Sequence, residues 1–491
     1  MQVQLFHKNV VVDTSSGSGV DHATALLREV FGYSSLRPHQ IEVLEQFLTG
    51  RDTLAVLPTG GGKSMCYVLP ALMGEGLGVV ISPLIALIRD QVIKYRKVGV
   101  PAAAIDSHQT PEQKWQVMDA LRSGRVKLLF VSPERFALPR FREFLKSLSL
   151  RFVAVDEAHC VSQWGANFRP EYRKIGEYLD EFAPGLPRLA LTATATKRVR
   201  EDILDFLALR DPAKILKTPM RENLRIGVDK ESNVEACEIS MIDKVYRLDG
   251  QGIIYAGTRK KVESLTSKLR QAGIEALSYH AGLSARVREQ GLSSFISGQA
   301  KVVVATNAFG LGIDKNDIRF VHHYGLPGSL ENYVQEIGRA GRDGLPAECD
   351  MVYTSRDYHV QKFVIDKSHP PVSSIVKCYE SLSDFFDEQS DVSRDELVEY
   401  VGASSKIDAG ELTASVDTLI KEGFAARVRS GEFSSFQEDF KLAPGDSTNW
   451  TAFLKDYPLR KRLALERLDS MVVYAGAGKH RDQVLQRYFV D

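Results

Sequence analysis

The chain has 491 residues with 63 Lys+Arg against 63 Asp+Glu, so no global charge announces a nucleic-acid partner and any basic track must be local. Its hydrophobic fraction of 44% supports full cores, and its length allows about three domains of roughly 150 residues each. Cys66, Cys160, Cys237, Cys349 and Cys378 are scattered with no C-x-x-C pair, no cationic start leads into an apolar run, and no eighteen-residue apolar stretch occurs; this argues against a disulfide framework, a cysteine zinc site, a signal peptide and a membrane span.

Residues 1–20 read as a flexible polar tail. From Asp21 helix-length segments alternate with short apolar runs: Thr53–Val56, Leu77–Ile81, Leu128–Val131, Phe152–Val155 and Leu189–Thr192. That alternation predicts a doubly wound parallel α/β domain over 21–217. A proline-bearing link near Lys217-Thr218-Pro219 precedes a second series, Ile253–Ala256, Ala276–Tyr279, Val302–Ala305, Phe320–His323 and Met351–Tyr353. Two α/β units of similar build, the second over 218–365, suggest a duplication with a cleft between them. Beyond residue 365 the pattern changes. Helices are expected over Ser374–Phe386, over Ser393–Val401 with Ser393 as N-cap, and over Gly410–Glu422, then strands over Phe424–Val428 and Phe436–Leu442. Three helices and a hairpin spell a winged helix over 366–447. Residues 371–445 hold 7 basic and 15 acidic side chains, a net charge of about −8, which makes a poor general DNA grip and suits a protein contact. A helical segment over 448–491 closes the chain.

The chemistry centres on Leu57-Pro58-Thr59-Gly60-Gly61-Gly62-Lys63-Ser64. A strand, a three-glycine turn and a helix N-terminus make a phosphate cradle. In it Thr59, Gly60, Gly61 and Gly62 line the turn, Lys63 reaches the β- and γ-phosphates, and Ser64 ligates Mg²⁺. Leu57 stands where the strict pattern has glycine, so this is the variant P-loop spelling. Asp156-Glu157-Ala158-His159 follows an apolar strand, where ligands of an open parallel sheet sit. Asp156 can hold Mg²⁺ through water, and Glu157 can polarise the water that attacks the γ-phosphate. Upstream, Gln40 carries the amide donor and acceptor that read adenine. Gln335-Glu336-Ile337-Gly338-Arg339-Ala340-Gly341-Arg342 puts two arginines three apart, on one face if helical, with guanidinium forks suited to γ-phosphate charge.

From Phe31 to Tyr353 the chain resembles the RecQ family of superfamily 2 DEAH-box DNA helicases. The resemblance rests on PTGGGKS, Ser82–Gln91 (SPLIALIRDQ), DEAH, Leu191–Thr196 (LTATAT), Tyr279–Leu283 (YHAGL), Ala305–Asp314 (ATNAFGLGID) and Gln335–Gly344 (QEIGRAGRDG), in family order. Residues 160–172, CVSQWGANFRPEY, are similar to the aromatic-rich loop that marks RecQ proteins. The resemblance implies two tandem RecA-like domains, Mg-ATP hydrolysis, 3′ to 5′ movement on single-stranded and tailed duplex DNA, and a role in DNA repair and recombination. It implies ATP handling by Lys63, Ser64, Asp156 and Glu157, adenine reading by Arg37 and Gln40, and an arginine finger at Arg342 with Arg339 and Gln335 beside it. Trp164, Phe168 and Arg169 would touch single-stranded DNA, since bases stack on aromatics whatever their sequence. Thr192 and Thr194 would couple the domains, and Ser82, His280 and Thr306 would meet the DNA backbone. A monomer in the cytoplasm or nucleoid is expected. The chain departs from the family at Ala166-Asn167, where His-Asp is usual, and in having only Cys378 beyond Cys349, so no four-cysteine zinc module and no zinc are expected. The winged helix also precedes the helical end instead of following such a module.

Overall fold

The computed structural model describes residues 18–83, 85–106, 109–162, 170–307, 309–310, 315–388, 392–393, 399, 407–429, 438–442 and 447–491. These fall into two compact units, one holding the described residues up to Gly325 with Glu331–Thr354 and Tyr474–Asp491, the other Leu326–Leu330 and Ser355–Val473. The fold class is as expected: α/β, with two tandem parallel sheets, here both in the first unit.

The first sheet contains β1 (Thr53–Val56), β2 (Leu77–Ile81), β3 (Ala102–Ile105), β4 (Leu128–Val131), β5 (Leu150–Val155), β6 (Arg188–Thr192) and β7 (Ala213–Leu216) in the order β3-β4-β2-β5-β6-β1-β7. Every pair is parallel. Its strands β1, β2 and β4 are nearly continuous apolar runs because helices cover both faces: Leu54 and Val56 pack into one core cluster and Ala55 into the other. The second sheet contains β8 (Leu224–Lys230), β9 (Gln251–Ala256), β10 (Ala276–Tyr279), β11 (Val302–Ala305), β12 (Ile318–Tyr324) and β13 (Ala347–Tyr353) in the order β10-β11-β9-β12-β13-β8, again all parallel.

Three strands of these two sheets went unforeseen. The alanines of β3 have low strand propensity, and β7 and β8 flank the proline link as the half-exposed edges of their sheets. The last helix, Arg481–Phe489, touches both lobes: Arg200 Nη2 of the first donates to the Val490 carbonyl at 2.9 Å, and the Tyr488 hydroxyl donates to Glu331 of the second at 2.8 Å.

The second unit packs helices Val372–Glu388, Ala409–Lys421 and part of Ser447–Gly476 around Ile375, Leu382, Leu412, Val416, Phe424 and Phe453. An antiparallel sheet of β14 (Val392–Ser393), β15 (Ala425–Arg429) and β16 (Glu438–Leu442) runs in the order β14-β16-β15. Ser393 lies on a strand opposite Asp439, where the β-branched Val392 beside it favours extended backbone, and the residues it is expected to cap lie outside the described ones. Most of the expected helix Ser393–Val401, and Phe436 at the start of the expected strand Phe436–Leu442, lie outside the described residues.

Candidate active site

Leu57 is tied to the sheet by its N–H, which donates to the Thr192 carbonyl at 3.0 Å, and the helix Met65–Leu72 starts after Ser64. Between them Gly60 and Gly62 adopt φ of 73° and 76°. Such left-handed backbone costs an L residue about 1–2 kcal/mol. At Gly62 a Cβ would also stand 2.4 Å from Gln40 Nε2.

Three side chains just before and at the start of the helix Pro38–Phe47 take the glycine carbonyls one by one. Arg37 Nη1 donates to Gly60 at 2.7 Å, His39 Nε2 to Gly61 at 2.7 Å, and Gln40 Nε2 to Gly62 at 2.9 Å. In a trans peptide the N–H points opposite to the preceding carbonyl, so this holds the amides of Gly62 and Lys63 toward the other side, as a phosphate cradle needs. The Gln40 amide is spent at both ends, because its Oε1 accepts the Arg37 N–H at 2.8 Å.

At the end of β5, Asp156 is buried and its N–H donates to the Ile81 carbonyl at 2.9 Å. Burial, then the neighbouring Glu157, push its carboxyl up to about 7, with the Lys63 ammonium pulling the other way. Glu157 sits at φ 48°, its N–H donating to Asp156 Oδ1 at 3.0 Å. Its Oε2 is buried, accepts no hydrogen bond and lies 3.4 Å from His159 Nδ1. His159 in turn meets Thr192 Oγ1 at 2.9 Å, and the Thr192 hydroxyl donates to the Thr194 carbonyl at 3.3 Å. The backbone of Thr192 holds the start of the glycine turn while its hydroxyl holds His159, so LTATAT ties phosphate turn to acid pair.

The second lobe reaches this place through the turn after the helix Leu330–Ile337, which carries half-buried Gln335. Gly338 and Gly341 (φ 55°) end the helix, so Arg339 and Arg342 do not share a helical face. Arg339 is buried and donates to the Gly310 carbonyl inside its own lobe. Arg342 goes to the glycine turn: a Cβ on Gly60 would stand 3.0 Å from Arg342 Cγ and 3.1 Å from the Gly338 carbonyl oxygen, and one on Gly338 would stand 2.3 Å from Thr59 Cβ. Arg37 Nη2 spans the gap, donating to the Arg342 carbonyl at 3.4 Å.

These residues fit a magnesium-bound triphosphate. The glycine turn is a cradle that side chains would fill, the Thr59 hydroxyl is buried without a partner, and two carboxyls stand beside one lysine, a balance a divalent cation corrects.

The expected DNA contacts lie elsewhere. Ser82 follows β2, its Oγ buried without a partner and its N–H donating to Val131 at 3.0 Å. In the second lobe the Thr306 N–H donates to the Tyr279 carbonyl at 3.1 Å, and buried His280 holds Glu263 at 2.7 Å. Trp164, Phe168 and Arg169 lie outside the described residues. The residues flanking them are anchored to the first lobe: the Ser162 hydroxyl donates to Asp202 at 2.5 Å, and the Tyr172 hydroxyl to the Asp156 carbonyl at 3.3 Å. Sequence reasoning missed His39 and also Arg221 and Asn223, which donate into the Arg342 turn. The one signal for these was an arginine and an asparagine beside the proline link.

Residues 37–203 match the DEAD/DEAH box helicase family and residues 237–344 the helicase conserved C-terminal domain. The chain is 42% identical over 370 residues to the ATP-dependent DNA helicase RecQ of Haemophilus influenzae, covering 75% of this chain and 59% of that protein. With the RecQ of Pasteurella multocida it shares 44% over 356 residues, 72% of this chain and 56% of the relative. It thus spans a little over half the length of these two. The probable ATP-dependent DNA helicase RecS of Bacillus subtilis is 36% identical over 376 residues, 76% of this chain and 75% of that protein. Among solved structures, the Mycobacterium smegmatis helicase Lhr bound to ssDNA and AMP-PNP superposes with a TM-score of 0.54 at 22% identity, covering 91% of this chain and 62% of Lhr, a likeness of fold alone.

Proposed function

This chain belongs to the RecQ family of DEAD/DEAH-box helicases, and from that premise we propose that it is an ATP-dependent DNA helicase, moving 3′ to 5′ on single-stranded DNA and opening tailed duplexes in repair or recombination. The observation that carries this reading is the meeting of the Arg342 turn with the glycine turn across two lobes.

The amides of the glycine turn and Lys63 bind the phosphates, and Arg37 and Gln40, whose polar ends hold the glycine turn, stand on the side proposed for adenine. Ser64 and Asp156 would hold Mg²⁺, which would supply charge neutralisation at the phosphate oxygens. Glu157, oriented by its left-handed backbone and flanked by His159, accepts the proton of the attacking water. Arg342 meets the charge that develops on the γ-phosphate, with Gln335 and Arg339 supporting its turn. Hydrolysis removes what holds the lobes together there, so turnover changes their spacing. Trp164, Phe168 and Arg169 sense the DNA strand, and the Tyr172 bond to the Asp156 carbonyl is a direct route from that segment to the acid pair. Ser82, His280 and Thr306 follow the backbone, and the chain works as an intracellular monomer.

The second unit acts as a winged helix that contacts protein, as its acidic composition favours. The test is strand displacement on duplexes with 3′ or 5′ single-stranded tails, with and without ATP. ATP-dependent opening of the 3′-tailed duplex alone is expected; ATP hydrolysis with no displacement on either substrate would remove the helicase assignment.

A further inference from the structure

Arg221 lies in the link between β7 and β8, and its guanidinium fork is wrapped around the end of the helix Leu330–Ile337. Nη1 donates to the Gly341 carbonyl at 2.6 Å, and Nη2 to Gly338 at 3.1 Å and to Ala340. Asn223, two residues on, adds Nδ2 bonds of 2.8 Å to the carbonyls of Gly341 and Leu345. The last carbonyls of a helix have no partners within it and attract a cation. Here one planar fork serves the Gly338, Ala340 and Gly341 carbonyls of the turn just after the helix, which a lysine ammonium cannot match in geometry.

The position has a cost that packing alone does not explain. Arg221 Cζ lies 3.6 Å from where a Gly60 Cβ would stand, among Arg342 and Arg37. Burial and these two neighbours push its guanidinium down to about 10. A third half-buried cation at the glycine turn is unfavourable unless its fork does something there that no neutral side chain does.

We propose that Arg221 is a positioning residue that holds the 338–342 turn so that Arg342 faces the glycine turn, and thereby sets the rate of ATP hydrolysis without itself touching the phosphates. The inference rests on the reading of Arg342 as the group that meets the γ-phosphate. Without the fork the Gly338 and Ala340 carbonyls lose their donor, Gly341 keeps only those of Asn223 and Gly344, and the turn slackens. A displacement of about 1 Å at a reacting group is enough to cost roughly 100-fold in rate.

The test is DNA-stimulated ATP hydrolysis by the whole chain carrying Arg221→Gln, Arg221→Lys, Arg342→Ala or Arg221→Gln with Arg342→Ala. Arg221→Gln is expected to lower kcat by roughly 10- to 100-fold, with KM for ATP little changed. Arg221→Lys should restore little of that loss, and the double variant should be no slower than Arg342→Ala alone, because Arg221 acts through Arg342. If Arg342→Ala is slow while Arg221→Gln matches the unaltered chain, or if the two losses multiply, the inference falls and the finger assignment stands. If Arg342→Ala keeps full turnover, it is the finger assignment that falls. Should Arg221→Gln fail to fold, Asn223→Ala, which loses only the Gly341 and Leu345 bonds, is read through the same cycle.

Discussion

The two lobes of the first unit share a frame, and the differences between them lie at the strand ends. In the first, Gly78 on β2 faces Phe152 on β5 across a register shift; in the second, Gly252 on β9 faces Phe320 on β12 across another. In each the ring occupies the space a Cβ would need, 2.5 Å away at Gly78 and 2.1 Å at Gly252. The edge strands agree too: Arg96 donates to the Ala102 carbonyl of β3 at 2.7 Å, and Arg270 to the Ala276 carbonyl of β10 at 2.8 Å. Beside them lie grooves of about 440 Å³ and 460 Å³. Yet where β1 runs into eight residues of glycine turn, β8, its counterpart in sheet order, runs into Glu231-Ser232-Asn233, and Asn233 caps the next helix. Where β5 ends in Asp156-Glu157, β12 ends in Gly325-Leu326. One lobe carries the glycine turn and acid pair proposed for phosphate chemistry, and the other brings Arg342 to them on the turn after a helix. A duplicated frame becomes a two-part site only because the strand ends diverged.

The largest effect should come from the chemical end of the first lobe. Glu157→Gln is expected to cut ATP turnover by roughly 100-fold or more while ATP still binds, and normal turnover in a steady-state assay would remove Glu157 from the role of base. Next is the cradle: Gly62→Ala brings a Cβ within 2.4 Å of Gln40 Nε2 on left-handed backbone, so nucleotide affinity measured by calorimetry should fall about tenfold. An unchanged affinity would mean that the phosphates bind elsewhere.

The shared frame makes a paired forecast. Gly78→Ala and Gly252→Ala should each destabilise by about 1–3 kcal/mol in denaturant unfolding, and a neutral result in one lobe alone would break the correspondence. The smallest effect is on pH. His322 is fully buried on β12, accepts the Asp350 N–H at 3.1 Å through Nδ1, and is pushed down to about 3 by burial. Its folded value lies below its unfolded one, so it supports the fold above the ordinary histidine value and that support is lost as pH falls below it. The Tm should drop between pH 7 and 5, and His322→Asn, which keeps an acceptor, should flatten part of that slope; an unaltered slope would put the acid sensitivity elsewhere.

Much of this was legible from residue order alone. Buried parallel strands are continuous apolar runs, so β1, β2 and β4 stand at the expected residues and β5 and β6 begin only a residue or two earlier. The glycine turn and acid pair carry their chemistry in adjacent residues, and the structure brings Thr59, Lys63, Ser64, Asp156, Glu157, Thr192 and Thr194 into one region of the first lobe. Contacts made at long range were not legible. Arg221 finds its carbonyls 117 to 120 residues away, and no local pattern marks it. Arg339 and Arg342 part because the helix stops at Ile337, before both, where Gly338 and Gly341 make a turn, and a three-residue spacing alone does not reveal that stop. His39 was passed over because only the folded turn shows three consecutive carbonyls met by three near-consecutive side chains.

The central claim is that a nucleotide is split where the Arg342 turn meets the glycine turn. Its most direct test is single-turnover ATP hydrolysis by Arg342→Ala in saturating single-stranded DNA, with affinity for a non-hydrolysable ATP analogue measured alongside. Turnover should fall by about 1,000-fold with affinity within a few fold; hydrolysis at the rate of the unaltered chain would contradict a role for Arg342 at the γ-phosphate.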